Sequence, residues 1–380
     1  MNNTHTYSPI NTRQLCLFAA FVLPVGKLLQ LPSLLTRYAG GDLLISALAG
    51  LLLEFLAFAS LVAFAKRANC APVEFLTNKW GNFAARFFCA VYAVFMLLFT
   101  ALPLFDLEKF SHAAFSDTSP TFFIFTPFFF LSGYVAVNGL KGVGRSADLS
   151  PILLLIPLVG LFVFSVGQAD FSRLLPVVEK PLTTTLKATW KTLPYFSGSA
   201  LCLPIFGGYR YEKGAEKRLL PAFGAGAFLT VVFLGVFFSV FGPLGEKEQF
   251  AVMKIGQYFP ALKSIGRVDL LLVYLITILL FYYTALPSLF FTEFLAQAFG
   301  IKSKLWVSVA LSVMLYLCAL FLNKYYVAIH TFFSSWLPPV FLVFGTLIPM
   351  GLGVLTAKNG GGRYAFTDKA QPKKEQENAV

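Results

Sequence analysis

"FVLPVGKLLQLP", Phe21 to Pro32, lies inside the first long apolar run of the chain. It interrupts that run twice, at Pro24 and Gly26, and places Lys27 beside the break. Proline removes a backbone donor and glycine carries a conformational cost, so both weaken a helix. A cation near the middle of a bilayer costs about 2.5–3.5 kcal/mol or more when unpaired. From that depth a lysine stem barely reaches an interface. The segment therefore reads as a helix broken for a purpose, with Lys27 facing either a partner or a water-filled cavity.

Composition supplies the solvent. The 380 residues are 57% hydrophobic and 13% charged, with a mean hydropathy of +0.72. Soluble domains are nearer 25% charged and cannot hide so much apolar surface, so the chain reads as all-α and polytopic in a membrane. The net charge of +12 fits basic loops beside anionic lipid and does not call for nucleic acid, since no soluble basic domain is present. Five scattered cysteines, four of them inside apolar runs, read as reduced structural thiols. The polar start "MNNTHTYSPINTR" leads into a run too long for a signal-peptide core, so no cleavage is expected.

Runs of about 20 apolar residues number ten: 14–36, 42–65, 84–105, 118–137, 150–168, 190–210, 219–242, 268–296, 304–322 and 332–356. Pro127, Pro151 and Pro157 fall within or next to the fourth and fifth, whose limits are the least defined. With the N-terminus inside, eighteen Lys and Arg fall in cytoplasmic segments and eleven in outer ones, with Lys27 left in the membrane. Acids such as Asp42, Asp106, Asp170, Glu179 and Asp269 lie outside. Positive charge is the informative vote, and it puts both termini in the cytoplasm. This divides the chain into a cytoplasmic N-terminus (1–13), a transmembrane domain (14–356) and a polar, Gly-rich tail (357–380) expected to be disordered.

Ten spans divide into five plus five, as repeats over 14–168 and 190–356. Transporters built from two inverted halves bind substrate where the first helix of each half is broken near the midplane. Helices one and six should then both be interrupted. Helix six obliges with "YFSGSALCLPIFGG", Tyr195 to Gly208, where Ser197, Gly198 and Ser199 precede Pro204. Unwound backbone there, with Pro24, Val25, Gly26 and Lys27, forms the candidate ligand site. Tyr282, beside Tyr283 and Thr284 on helix eight, is a candidate lining residue. Glu54, near the middle of helix two, is the acid at comparable depth to Lys27. Two readings stay open: a closed Lys27–Glu54 pair that ties two helices, or a lysine that replaces a coupling cation or meets the ligand. Glu293, toward the inner end of helix eight, reads as an acid facing the inner vestibule, with proton coupling as the sharper alternative.

Enzyme chemistry has little support. His5, His112 and His330 are isolated, and no HExxH, Cys–His cluster or nucleophile elbow occurs. "GLKGVGR", Gly139 to Arg145, lacks the context of a phosphate loop and reads as a cytoplasmic turn. No cofactor or metal is expected.

The order of these features resembles the spore germination permease-like family, the B subunits of nutrient germinant receptors. These are distant members of the amino acid–polyamine–organocation transporter superfamily, whose fold is the LeuT-like inverted repeat. The stretches that carry the resemblance are "INTRQLCLFAAFVLPVGKLLQLP", "VNGLKGVGRSADLSPILLLIP", "DFSRLLPVVEKPLTTTLKATWKTLPYFSGSALCLPIF" and "SVFGPLGEKEQFAVMKIGQYFPALKSIGRVDLLL", over about residues 8–356. The resemblance implies a multi-pass protein of the spore inner membrane that senses an amino acid or similar nutrient. It also implies a larger A subunit and a lipoprotein C subunit as partners. Lys27 departs from it, because the family position after the glycine is usually small or apolar. An amino acid permease without signalling partners is the alternative.

Overall fold

The computed structural model describes residues 10–358 apart from 69, 115–120, 166, 176–177, 249, 258–268, 302 and 323–324. The expected tail lies outside the described residues. Among those described the chain is almost wholly helical, with one isolated parallel bridge between Ile10 and Tyr209.

The first run comes in pieces, for reasons visible in its residues. Helix α1 (Thr12–Leu17) passes into a π-helical turn, Phe18–Val22, where the Leu23 N–H reaches back five residues to the Phe18 carbonyl. Pro24 has no N–H to offer Ala20, so the widened turn absorbs the lost bond. Helix α2 (Val25–Leu28) follows, and then α3 (Leu31–Ala39). Gly40, at a φ of +64°, makes the turn that leads to α4 (Leu43–Ala68), a conformation that favours glycine.

Five further helices run through the middle of the chain: α5 (Pro72–Ala114), α6 (Thr121–Ala147), α7 (Ser150–Ser165), α8 (Leu182–Thr192) and α9 (Ser199–Phe206). The C-terminal part comprises α10 (Glu216–Phe241), α11 (Ala251–Gln257), α12 (Asp269–Phe299), α13 (Lys304–Leu322), α14 (Tyr326–Trp336) and α15 (Pro338–Leu342). A second π-helical turn, Val343–Leu347, then leads into α16 (Ile348–Lys358).

By length and hydropathy five stretches among the described residues can cross a bilayer: Leu31–Ala68, Pro72–Ala101, Glu216–Lys247, Val273–Phe299 and Pro338–Ala357. A sixth arises if Thr126–Ala147 and Ser150–Val163, which meet at 45°, are taken together. The other apolar runs are shorter or broken. Runs one and six are interrupted, prolines and Gly139 (φ +57°) bend runs four and five, and run nine yields the short apolar helix Lys304–Leu317. The "GLKGVGR" stretch turns at Gly139 but is otherwise the last helical part of α6. Leu48, Leu52 and Leu56 on α4, and Ile152, Ile156, Val159 and Val163 on α7, form exposed apolar faces suited to lipid.

Two stretches read from the sequence as outer loops carry structure. Helix α8 packs on α3 and α4, where the Thr189 hydroxyl donates to the Ser46 carbonyl at 3.0 Å. Asp42 accepts the N–H groups of Glu179 and Lys180 at 2.8 and 2.7 Å. Helix α11 begins at Ala251, whose N–H takes the Leu29 carbonyl at 3.1 Å, a group released by the break between α2 and α3.

Helix α12 packs on α5, α6 and α7 and is mostly buried. Where apolar lipid removes the hydrophobic drive between helices, close backbone approach does the holding. Gly226 of α10 shows this: a Cβ there would lie 2.8 Å from the Ala19 carbonyl and 3.0 Å from that of Ala20. Those carbonyls belong to the π turn before Pro24. Gly226→Leu should therefore separate α10 from the broken helix and cost about 1–3 kcal/mol by overpacking. A lowered thermal midpoint of the purified protein is the readout.

Candidate functional site

The second break has its own local cause. Pro194 starts a 3₁₀ turn, Leu193–Phe196, and Ser197 and Gly198 link it to α9. The Gly198 N–H is left without a helical acceptor and donates instead to Glu54 Oε1 at 3.0 Å. Gly50, one turn before Glu54 on α4, clears the way: a Cβ there would lie 2.4–2.6 Å from three atoms of the Phe196 ring. Gly50 and Glu54 thus share a helix face turned to the broken sixth segment.

Lys27 completes the junction. Its Nζ lies 3.1 Å from Glu54 Oε1, 3.0 Å from Oε2 and 3.1 Å from the Leu23 carbonyl. The lysine is 3% exposed and Glu54 0%. The ammonium donates to Oε1 and to the Leu23 carbonyl, while Oε2 is held by charge alone and accepts no hydrogen bond. Lys27 and Glu54 are thus paired across the junction. The pair joins the first break, the middle of α4 and, through Gly198, the second break.

The two serines are engaged as well. Ser197 Oγ shares its one proton between the carbonyls of Leu193 and Phe341, at 3.1 and 3.4 Å, and Ser199 Oγ donates to the Gly345 carbonyl. Gly345 lies in the second π turn, where i→i−4 bonding is interrupted, and its missing side chain lets Ser197 approach. Tyr92 of α5 supports α9 by donating to the Ala200 carbonyl at 2.9 Å. Its ring meets those of Phe95, Phe294 and Phe344.

A cavity with about 880 Å³ of empty space, counting its open mouth, lies beside the first break. Gly26 lines it, with Phe99, Leu280, Tyr283 and Phe341 as apolar wall. Gly26 is required there, since a Cβ would meet the Tyr283 ring at 2.6 Å. Tyr38, Asp106, Lys191 and Tyr195 supply its polar lining. Lys191 Nζ lies 4.5 Å above the Tyr38 ring, a cation–π contact. Gln30 Nε2 donates to Asp106 Oδ1 at 2.7 Å, and the Tyr195 hydroxyl donates to Gln30 Oε1 at 3.3 Å.

The sixth segment runs from Lys191 at this cavity to Gly208 at the other end of the bundle, where the Ile10 N–H donates to the Gly208 carbonyl. That end is tied further by Thr12 with Tyr209 (3.0 Å), Arg13 with Asp148 (2.9 Å) and Lys66 with Glu216 (2.9 Å). A smaller crevice of about 400 Å³ opens there between Pro72, Pro204 and Gln297. Glu293 lines it and pairs with Lys304 at 3.3 Å.

The structure thus brings together Pro24, Val25, Gly26, Lys27, Glu54, Ser197, Gly198 and Ser199. Tyr282 stands apart: its hydroxyl donates to the Val143 carbonyl at 2.8 Å, and its neighbour Tyr283 lines the cavity instead. Glu293 is at the other crevice. Asp106 and Lys191 carry no signal of their own in the sequence, because both lie where an apolar run meets a polar loop. Gln30, a buried amide three residues after Lys27, was a signal that could have been read. Among the described residues no three His, Cys, Asp or Glu side chains gather as a metal site.

No curated protein matches the chain. Among solved structures it is similar to one titled "Inward facing conformation of Mhp1", at 12% identity and a TM-score of 0.48, over 93% of this chain and 79% of that one. The family model described as "Spore germination protein" matches residues 10–327. That match spans most of the chain, which therefore belongs to the spore germination protein family.

Proposed function

We propose that this chain is the nutrient-sensing, transporter-like subunit of a germinant receptor in the spore inner membrane, with both termini in the cytoplasm. The carrying observation is the meeting of two interrupted segments, one from each half of the chain, at a buried ion pair beside the cavity that Gly26 lines. Pairing of a broken first with a broken sixth segment is what a five-plus-five inverted repeat predicts. The cavity has a largely apolar wall with a few polar groups, the kind of lining that small-molecule sites have. It opens at the end away from the N-terminal ties, which in this orientation is the outer face.

A nutrient that binds the open form better than the closed one would shift the balance between them. The shift would reach the A subunit and the lipoprotein C subunit through the helices around the breaks. The Lys27–Glu54 pair supports sensing over ion-coupled transport, since a fixed ammonium fills the junction where a mobile cation would otherwise have to bind. The test pairs two assays on the purified full chain. Amino acids, nucleosides and monosaccharides are screened for thermal stabilisation, and the ligands that bind are then offered in labelled form to proteoliposomes. Stabilisation without uptake is expected. Concentrative uptake by this chain alone would make it a permease instead.

A further inference from the structure

We infer that the crevice at the N-terminal end of the bundle is a second binding site, which takes a small primary ammonium ion on the Glu293 carboxylate. It lies apart from the cavity beside the first break and does not depend on what that cavity binds.

The carboxylate is the first observation. Glu293 lies on α12, is 5% exposed and lines the crevice. A buried carboxylate needs its charge balanced and its acceptors filled. Lys304 does this in part, since its ion pair and its hydrogen bond, at 3.3 Å, both fall on Oε1. A carboxylate has a second oxygen with acceptor capacity of its own. Among the described residues Oε2 takes no hydrogen bond.

The second observation is where Lys304 comes from. It is the first residue of α13, and its side chain is 27% exposed. A cation there stands at the unfavourable end of the helix dipole. Among the described residues the crevice wall is built from α5 with the residue before it, α6, α9 with the glycine after it, and α12. Lys304 therefore reaches the carboxylate from beside the crevice and does not fill it.

The wall decides the class of ligand. Val73, Leu140, Leu203, Pro204 and Phe294 make it largely apolar. A hard metal ion needs about six or more oxygen ligands, and no three acidic, His or Cys side chains gather among the described residues. An alkylammonium needs one carboxylate for its nitrogen and an apolar surface for its chain. Lys304 already shows the pairing, because its side chain is itself a butylammonium.

The experiment measures affinity of the full chain in nanodiscs by calorimetry at pH 8, with n-butylammonium, n-butanol and butyrate as probes. n-Butylammonium should bind about tenfold or more tightly than either of the others, the usual worth of a charge-assisted hydrogen bond. Glu293→Gln should weaken it by a similar factor. Lys304→Met should tighten it, since a second ammonium no longer shares the carboxylate. That gain cannot arise from loss of folding, so it carries the test if Glu293→Gln is unstable. Val73→Trp, which crowds the crevice, should weaken binding, whereas Leu34→Trp, which fills the other cavity, should leave it unchanged.

Equal binding of n-butanol overturns the inference, as does full affinity in a folded Glu293→Gln or unchanged or weaker binding in Lys304→Met. Loss of binding in Leu34→Trp would put the ammonium in the other cavity and overturns it as well. Displacement of n-butylammonium by an equal concentration of potassium chloride would make this an inorganic cation site, which also contradicts it.

Discussion

Glu54→Gln is expected to destabilise the protein by about 3–5 kcal/mol, because it leaves the Lys27 ammonium buried without its counter-ion. Both groups are almost fully buried, and the lysine stem cannot carry its charge to water from that position. Glutamine keeps an oxygen for the Gly198 N–H, so the loss isolates the ion pair from the backbone bond. The double variant Lys27→Met with Glu54→Gln should recover most of the stability, since replacing a buried pair by neutral groups is often close to neutral. Thermal midpoints of the four proteins form a double-mutant cycle, and a coupling of several kcal/mol is predicted. Ligand affinity of the double variant should match that of the unmodified chain, since it is Gly26, and not Lys27, that lines the cavity. A double variant as unstable as the single one would show that the charges have another partner.

Gly198→Val carries the second large effect. A Cβ at this position would lie 2.6 Å from Glu54 Oε1 and 3.1 Å from Leu23 Cδ2. Neither can retreat easily: the carboxylate is held by Lys27, and Leu23 belongs to the packed first segment. The substitution should cost about 1–3 kcal/mol by overpacking, and more where the displaced segment draws its backbone N–H away from the Glu54 carboxylate. It also forces the two breaks apart. Loss of ligand stabilisation should therefore accompany a lowered midpoint, and Glu54→Gln should not add its full cost on top, because the two changes damage one junction. Additive losses would contradict that coupling.

Much of this arrangement is legible in the residues alone, and the reasons differ from place to place. The two breaks announce themselves, because proline and glycine inside an apolar run alter backbone bonding whatever surrounds them. Lys27 and Glu54 are legible as a pair because charge at that depth demands a partner. The cavity is not legible in the same way. Asp106 and Lys191 sit where charged residues are ordinary, and only the folded chain, with Gln30 bridging Asp106 to Tyr195, brings them to one cavity. The choice between Tyr282 and Tyr283 depends on helix rotation, which neighbouring positions on a uniformly apolar helix do not encode. Helix α8 was hidden inside a polar stretch, since a short helix docked by threonines lacks the hydropathy of a span. The serines' distant acceptors were hidden too, as they lie in α15 and the π turn after it, some 145 residues further along the chain, a distance set by the pairs Ser197–Phe341 and Ser199–Gly345.

The central claim is that a nutrient occupies the cavity beside the first break. Leu34 lines that cavity and is only half-buried, so Leu34→Trp fills the space without opening the core. The decisive measurement is the thermal shift produced by the best-binding nutrient, compared between the unmodified full chain and Leu34→Trp. The prediction is an unliganded midpoint close to that of the unmodified protein, with the ligand-induced shift reduced at least tenfold in apparent affinity. An unchanged ligand shift in Leu34→Trp would place the nutrient elsewhere and contradict the account.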